Sequence, residues 1–332
     1  MSPSPELAAA RVAEFVRSVY GLDARQVALL DRLSDADLTA YRVETDDGPL
    51  FLKLRRDAPP PPLAGYLADS GMTRVLAPLP PLDRRRPGVL AGWTATLYPF
   101  VEGENAFQRP LTRRQWTALG AIVRAVHGAQ PPPSVTAAMR HETYADTWRA
   151  RVRACLAALP SQHLDDDVAR DLVHVLAANT PRITSLVQHA DSLAASLRDR
   201  ALPLVPCHGD LHAGNVLVDS AGSLTIVDWD DPVLAPKERD LMFVGAGIGG
   251  VWNRPEEAAA FYRGYGPATV DAEALAYYRC ERVVEDVAVF HDALLLGRGD
   301  TLAERQQSLR KFVAAFLPND VVEIAERTFA AL

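Results

Sequence analysis

Near the N-terminus apolar residues recur at helical spacing. Leu7, Val12, Phe15, Val16 and Val19 share one side of a helix predicted over residues 5–20 and closed by Gly21. The period then shortens to two. "VALLDRL", "TAYRVET" and "LFLKLR" read as strands, and "DDG" between the last two is a hairpin-turn sequence. The prolines at 59–62 exclude helix ahead of a short one in "LAGYLADSG", and "GVLAGWTATLYPFVEGE" supplies two more strands, ending at Pro99 and Gly103. After Gly103 the helical period returns. Trp116, Leu119, Ile122, Val123 and Val126 mark one helix, residues 140–200 two or three more, and others follow near 238–248, 255–264, 272–296, 301–315 and 319–331. One stretch interrupts this run: "CHGDLHAGNVLVDSAGSLTIVDWDD", in which two short apolar strands flank the turn "SAG".

The order of elements predicts an α+β chain of two lobes. A small antiparallel β-lobe spans 1–97, a hinge 98–103, and a larger, mainly helical lobe 104–332 carries one embedded hairpin. At 332 residues the chain exceeds the ~250–300 residues at which single cores stop growing. A hinge between lobes is a common place for a ligand cleft.

Charge narrows the partners. The net charge of −7 argues against nucleic acid or an anionic membrane surface. Residues 201–332 hold 11 basic and 20 acidic side chains, a net −9, so a cationic small molecule is the partner this region favours. Cys155, Cys207 and Cys280 are far apart and form no CxxC, which predicts neither a disulfide framework nor structural zinc. No apolar run nears the ~20 residues of a membrane span, and the N-terminus lacks the pattern of a signal peptide. A cytoplasmic monomer or weak dimer is expected. Only Lys53, Lys237 and Lys311 are lysines among 35 basic residues, so each lysine invites a reason.

The interrupting stretch carries the chemistry. If "NVLVD" pairs with "SLTIVDW", Asn215 opens one strand and Asp228 closes the other, at the same end of the ladder as Asp210 in the preceding loop. Magnesium takes hard oxygen ligands from one or two side chains together with phosphate oxygens. Asn215 and Asp228 suit that role and leave Asp210 as a carboxylate base for an attacking alcohol. Asp210 precedes Asn215 by five residues, the spacing of the kinase catalytic loop.

At this point the residues resemble a known family. "HGDLHAGNVLV" followed by "IVDWDD" is similar to the signature of the aminoglycoside phosphotransferases, relatives of protein kinases. "FLKLR", "LYPFVEG", "LGAIVRAVHG" and "ERDL" fall in family order, and "DWDDPVLAPKERDLMFVG" is most like the spectinomycin-phosphotransferase branch. The resemblance implies a two-lobed protein-kinase-like fold using ATP or GTP with Mg²⁺. It implies Asp210 as catalytic base, Asn215 and Asp228 as metal ligands, and Lys53 on the α/β-phosphates. The adenine edge falls to backbone near Tyr98, Phe100 and Val101, while His208 and Asp240 support the catalytic loop.

The chain also departs from the pattern. "LSDADLTAYRV" has no glycine, so Ser34 and backbone amides are left to cover the phosphates; "RRDAPPPPLAGYLADSG" offers Lys53 no Glu, only Asp57 and Asp69. His208 and His212 resemble a metal pair, but no third His or Cys is spaced for zinc. For the acceptor, Glu281, Glu285 and Asp292 share a helical stripe that reads either as a solvated face or as an ammonium-attracting lining; Asp286 and His291 lie off it. Asp230 and Asp231 are candidates beside the metal, and Trp252 and Tyr278 for stacking on a sugar, with core packing as the plain alternative. The expected activity is O-phosphorylation of a cationic aminocyclitol or aminoglycoside, spectinomycin first. Its rivals are a kinase of choline, homoserine, methylthioribose or a macrolide, and a non-catalytic nucleotide-binding module. A protein kinase is disfavoured, since Asp228 and "ERDL" leave no room for an activation loop.

Overall fold

Strand alternation in "GPLFLKLR" buries one face of a sheet against a helix. Leu50, Leu52 and Leu54 pack with Val12, Phe15, Val16 and Tyr20 of the helix Ala9–Tyr20, closed by Gly21 at a φ of 72°. The computed structural model describes residues 7–30, 38–56, 59–83, 88–159, 166–296 and 301–332. The sheet is antiparallel and five-stranded, in the order Ala24–Leu29, Leu38–Thr45, Gly48–Arg55, Trp93–Pro99, Gly88–Leu90. Thr45 pairs with Gly48, so Asp46 and Asp47 make the predicted tight turn. Each leucine buried this way stabilises the fold by roughly 1.5–3 kcal/mol. Lys53 lies on the opposite face, paired with Ala40 on one side and Thr96 on the other.

Contact density regroups the chain into two units, out of sequence order. One contains Met1–Glu104, Pro131–Ala138 and Leu217–Asp231, and the other Asn105–Gln130, Met139–Val216 and Pro232–Leu332. The reason for the first grouping is local. Ile226 donates to Arg74 O (2.8 Å) and accepts from Leu76 N (2.9 Å), which fastens the strand Leu224–Ile226 to the β-rich unit.

In the second unit two long helices form the core. Leu172, Leu176, Ile183, Leu186 and Ala190 of Asp167–Arg198 meet Val283, Val284, Val287 and Ala288 of Ala272–Leu296. A second contact depends on glycine. A Cβ on Gly120 would stand 2.1 Å from Phe261 O, and one on Gly264 would stand 1.7 Å from Thr117 O. The helices Arg113–His127 and Pro255–Tyr265 therefore cross with their backbones nearly touching, sealed by Thr117 Oγ1 donating to Ala260 O at 3.1 Å.

Two expectations change. The helix expected over 238–248 ends at Leu241, because Gly245, Gly247, Gly249 and Gly250 all take left-handed φ values between 67° and 77°. The hairpin strands are Val216–Val218 and Leu224–Ile226, so Asn215 sits in a 3₁₀ turn and Asp228 lies beyond its strand at φ 65°. Asp228 does not close the ladder as expected.

Candidate active site

In the helical unit, a three-stranded sheet of Arg140–His141, Val233–Ala235 and Val205–Cys207 delivers the chain into the loop His208–Gly209–Asp210. Gly209 turns there at φ 87°. Asp240 fixes this turn from below, Oδ2 accepting from His208 N (2.9 Å) and Oδ1 from Gly209 N (2.8 Å). The close helix crossing matters here, because it brings His127 and Tyr265 together. The Tyr265 hydroxyl and His127 Nδ1 are 2.8 Å apart, and His127 Nε2 donates to Asp240 Oδ2 at 3.0 Å. Burial alone would raise the Asp240 pKa; the His127 and backbone hydrogen bonds hold it below the usual carboxylate range. His208 accepts from Asp210 N on Nδ1 (3.2 Å), a local brace of the same loop.

Asp210 then projects with its side chain 46% exposed. Its carbonyl accepts from Asn215 Nδ2 at 2.8 Å and from His212 N at 2.9 Å. Arg282 Nη1 donates to Oδ1 at 2.5 Å, and His212 Nε2 lies 3.4 Å from Oδ2. Burial pushes the Asp210 pKa up, but Arg282 and His212 overcome it and keep the group well below the ordinary carboxylate value. Arg282 stays charged for the reciprocal reason, with Asp286 and Asp210 offsetting its burial.

Sequence reasoning missed Arg282 and the anchoring role of His127, and set Asp286 aside. The signal available was Arg282 and Asp286 at i, i+4 on one helix, with Nε 3.0 Å from Asp286 Oδ1.

In the β-rich unit Lys53 is 8% exposed, and its Nζ donates to Asp228 Oδ1 (2.6 Å) and Asp230 Oδ2 (2.5 Å). Burial would lower its pKa; the two carboxylates more than compensate, and the ammonium persists. Asp230 also takes Arg55 Nη1 at 2.6 Å, so within this unit it belongs to the Lys53 cluster and is only 12% exposed. That corrects its expected direction towards an acceptor. It also answers the missing Glu: Asp228 and Asp230 are the acidic partners of Lys53, while Asp69 is exposed and Asp57 lies outside the described residues. Asp231 is 69% exposed, 3.9 Å from Arg55. Trp229 Nε1 donates to Ile226 O (3.0 Å) and pins the segment that holds Asp228 left-handed.

Tyr98 is buried, with its main chain in register with Phe51. Phe100 N–H donates to Pro49 O (3.0 Å), which turns that donor into the sheet and removes it from the expected adenine edge. Ser34 lies outside the described residues.

The expected acidic stripe is broken up by its neighbours. Glu281 is 5% exposed and accepts from Arg149 Nη1 at 2.5 Å, so it is a core ion-pair partner and not an acceptor-binding group. Asp292 pairs with Arg151. Glu285 is half-buried, and its charge acts on Arg239 and Arg282. Trp252 is 5% exposed, packed edge-on against Trp116 with centroids 4.8 Å apart, and lines a small hollow with His212, Ala213, Phe243, Ile248 and Val251. Tyr278 is wholly buried. One face of a helix is readable from sequence, but what packs on it is not.

Taken singly, each expected metal ligand keeps an oxygen suited to a hard cation: in the helical unit Asn215 uses its amide nitrogen on the Asp210 carbonyl, which leaves the amide oxygen, and in the β-rich unit Asp228 carries a carboxylate 42% exposed. His127, Cys207 and Asp240 also cluster. Their donor atoms are engaged, with the Cys207 thiol directed at Ala235 O and Pro236 O at 3.7 and 3.8 Å, so this group reads as the loop anchor.

Comparison with known proteins adds to this geometry. Residues 30–278 match the phosphotransferase enzyme family. The chain is similar to the crystal structure of spectinomycin phosphotransferase in complex with ADP and spectinomycin. The identity is 35%, the TM-score 0.88, and 98% of this chain and 99% of that one are covered. An AMP-bound complex of spectinomycin phosphotransferase gives 35% and 0.85, over 96% and 98% of the two chains. Amicoumacin kinase shares the fold at 18% identity and a TM-score of 0.60, covering 96% and 95%. Protein StrN of Streptomyces griseus is 29% identical over 205 residues, 58% of this chain; the chain spans 63% of that protein's length. No helix among the described residues is long and apolar enough to cross a membrane.

Proposed function

Because the chain belongs to the phosphotransferase enzyme family and is a small-molecule kinase of protein-kinase-like fold, we propose that it moves the γ-phosphoryl group of ATP to a hydroxyl of a cationic aminocyclitol, with spectinomycin the first candidate and the cytoplasm the place of action. The observation that carries the substrate is the end-to-end likeness, at 35% identity, to an enzyme crystallised with ADP and spectinomycin. The net −9 of residues 201–332 supports a cationic acceptor.

Each group has a task in this reading. Lys53, kept cationic by its two carboxylates, binds the α/β-phosphates. Asn215 and Asp228 are the residues that would hold magnesium, which supplies charge neutralisation on the phosphates. Asp210 orients the acceptor hydroxyl. As the hydroxyl oxygen bonds to the γ-phosphorus, the bond from that phosphorus to the β–γ bridging oxygen breaks. The hydroxyl proton passes to Asp210, and ADP leaves. A carboxylate held far below the usual range is a weak base. Its contribution is therefore chiefly to position the hydroxyl, in keeping with a loose transition state.

The test is ATP consumption, with product mass, against spectinomycin, other aminocyclitols, aminoglycosides, macrolides and choline. Spectinomycin is expected to be phosphorylated; turnover of choline alone would remove the substrate assignment. Asp210→Ala is expected to lower kcat by about 10²–10⁴-fold while ATP binding persists, and full activity in that variant would remove the role given to Asp210.

A further inference from the structure

Asp210 is held unevenly. Arg282 Nη1 grips Oδ1 at 2.5 Å, whereas His212 stands off Oδ2 at 3.4 Å. The His212 tautomer is set locally, since Nδ1 accepts from Gly214 N (2.9 Å) and so leaves the proton on Nε2, facing Asp210. Phe243 supports both neighbours: the Arg282 guanidinium lies 5.7 Å from its ring centroid, and the His212 ring meets it edge-on at 6.4 Å. Arg282 is aimed by its own helix, where Asp286 one turn on stands 3.0 Å from Nε without completing a well-directed hydrogen bond. Its side chain is 17% exposed, and the residue it reaches across to is Asp210, 72 positions away.

We propose that Arg282 is a positioning residue for phosphoryl transfer: by fixing Oδ1 of Asp210 it presents Oδ2 to the acceptor hydroxyl. This rests on the reading of Asp210 as the group that orients the hydroxyl and accepts its proton. A charge-assisted bond at 2.5 Å restrains the carboxylate's rotation, while a contact at 3.4 Å is readily replaced by a hydroxyl. Glutamine at 282 keeps the apolar stem of the side chain but is two atoms shorter and loses both the cation and the Nη1 donor that reaches Asp210. The carboxylate then swings free, and misplacement on this scale costs up to roughly 10²-fold in rate.

The experiment is steady-state kinetics with ATP and spectinomycin for Arg282→Gln, Arg282→Lys, Asp210→Ala and the double variant Arg282→Gln/Asp210→Ala, together with a crystal structure of Arg282→Gln. Arg282→Gln should lower kcat with KM for ATP unchanged, and Arg282→Lys should recover part of the loss. In the Asp210→Ala background Arg282→Gln should have no further effect, because the group through which it acts is gone. Arg282→Gln/Asp286→Asn removes both charges of the helix pair, and should show the kcat loss of Arg282→Gln with parental thermal stability.

Four results would overturn the proposal. They are a parental kcat in Arg282→Gln, a loss confined to the KM for spectinomycin, an equal further loss in the Asp210→Ala background, or a crystal structure with Asp210 unmoved, which needs no acceptor. A fully active Asp210→Ala is a different failure: it removes the underlying reading of Asp210, and this proposal with it.

Discussion

Two neighbouring residues of one helix end up in opposite electrostatic worlds. Glu281 meets Arg149, whose side chain has no exposed surface and whose guanidinium spends all its donors: Nε on Asp191, Nη1 on Tyr277 and Glu281, Nη2 on the carbonyls of Tyr144 and Ala145. Arg282, one position on, spends Nη1 on a carboxylate that is nearly half exposed and leaves Nε imperfectly bonded. A fully satisfied buried charge rigidifies a core. An incompletely satisfied one beside an open carboxylate remains available to an incoming polar group, which is how a site differs from a strut.

That contrast can be broken by mutation. Arg149→Ala leaves Glu281 buried without its cation and should cost about 3–5 kcal/mol, read as a lowered midpoint in denaturant unfolding. A loss under ~1 kcal/mol would mean the cluster is no strut. Replacing both partners, Arg149→Met with Glu281→Met, should cost clearly less than Arg149→Ala, because no unpaired charge remains. A double variant worse than the single would point to packing as the cause. Arg282→Gln should change stability by only about 1 kcal/mol while lowering kcat, the reverse of Arg149→Ala. Asp191→Asn comes last, at about 0–1 kcal/mol, since Asp191 is 42% exposed and solvent already screens its charge.

What could be read from the chain was whatever depends on near neighbours. The periods of "AARVAEFVRSVY" and "GPLFLKLR" and the turn at Asp46–Asp47 all specify local backbone, and those elements formed. Where the local reading failed, the reason was also local. Four left-handed glycines cut the helix expected to reach 248, and the strand expected to run to Asp228 stops at Ile226. The candidate site divides along the same line. Asp210 and Asn215 belong to one short loop and are joined by a hydrogen bond five residues long in sequence, so spacing exposes them. Asp230 looked like an acceptor-facing group because its partner, Lys53, is 177 residues distant. Glu281 looked like part of a charged stripe because Arg149 is 132 residues away on another helix.

The sequence by itself therefore determined the order of strands and helices, the hairpin that follows the Asp210 loop and the kinase-like signature within it. These rest on backbone sterics and short-range periodicity. The tertiary structure alone decided which acid meets which cation. Lys53 found Asp228 and Asp230, Asp210 found Arg282, and Asp240 found His127, 113 residues away on a helix whose crossing, permitted by glycine, sets His127 against Tyr265. Electrostatic partnership depends on distance in space and on burial, and a linear pattern of charges records neither.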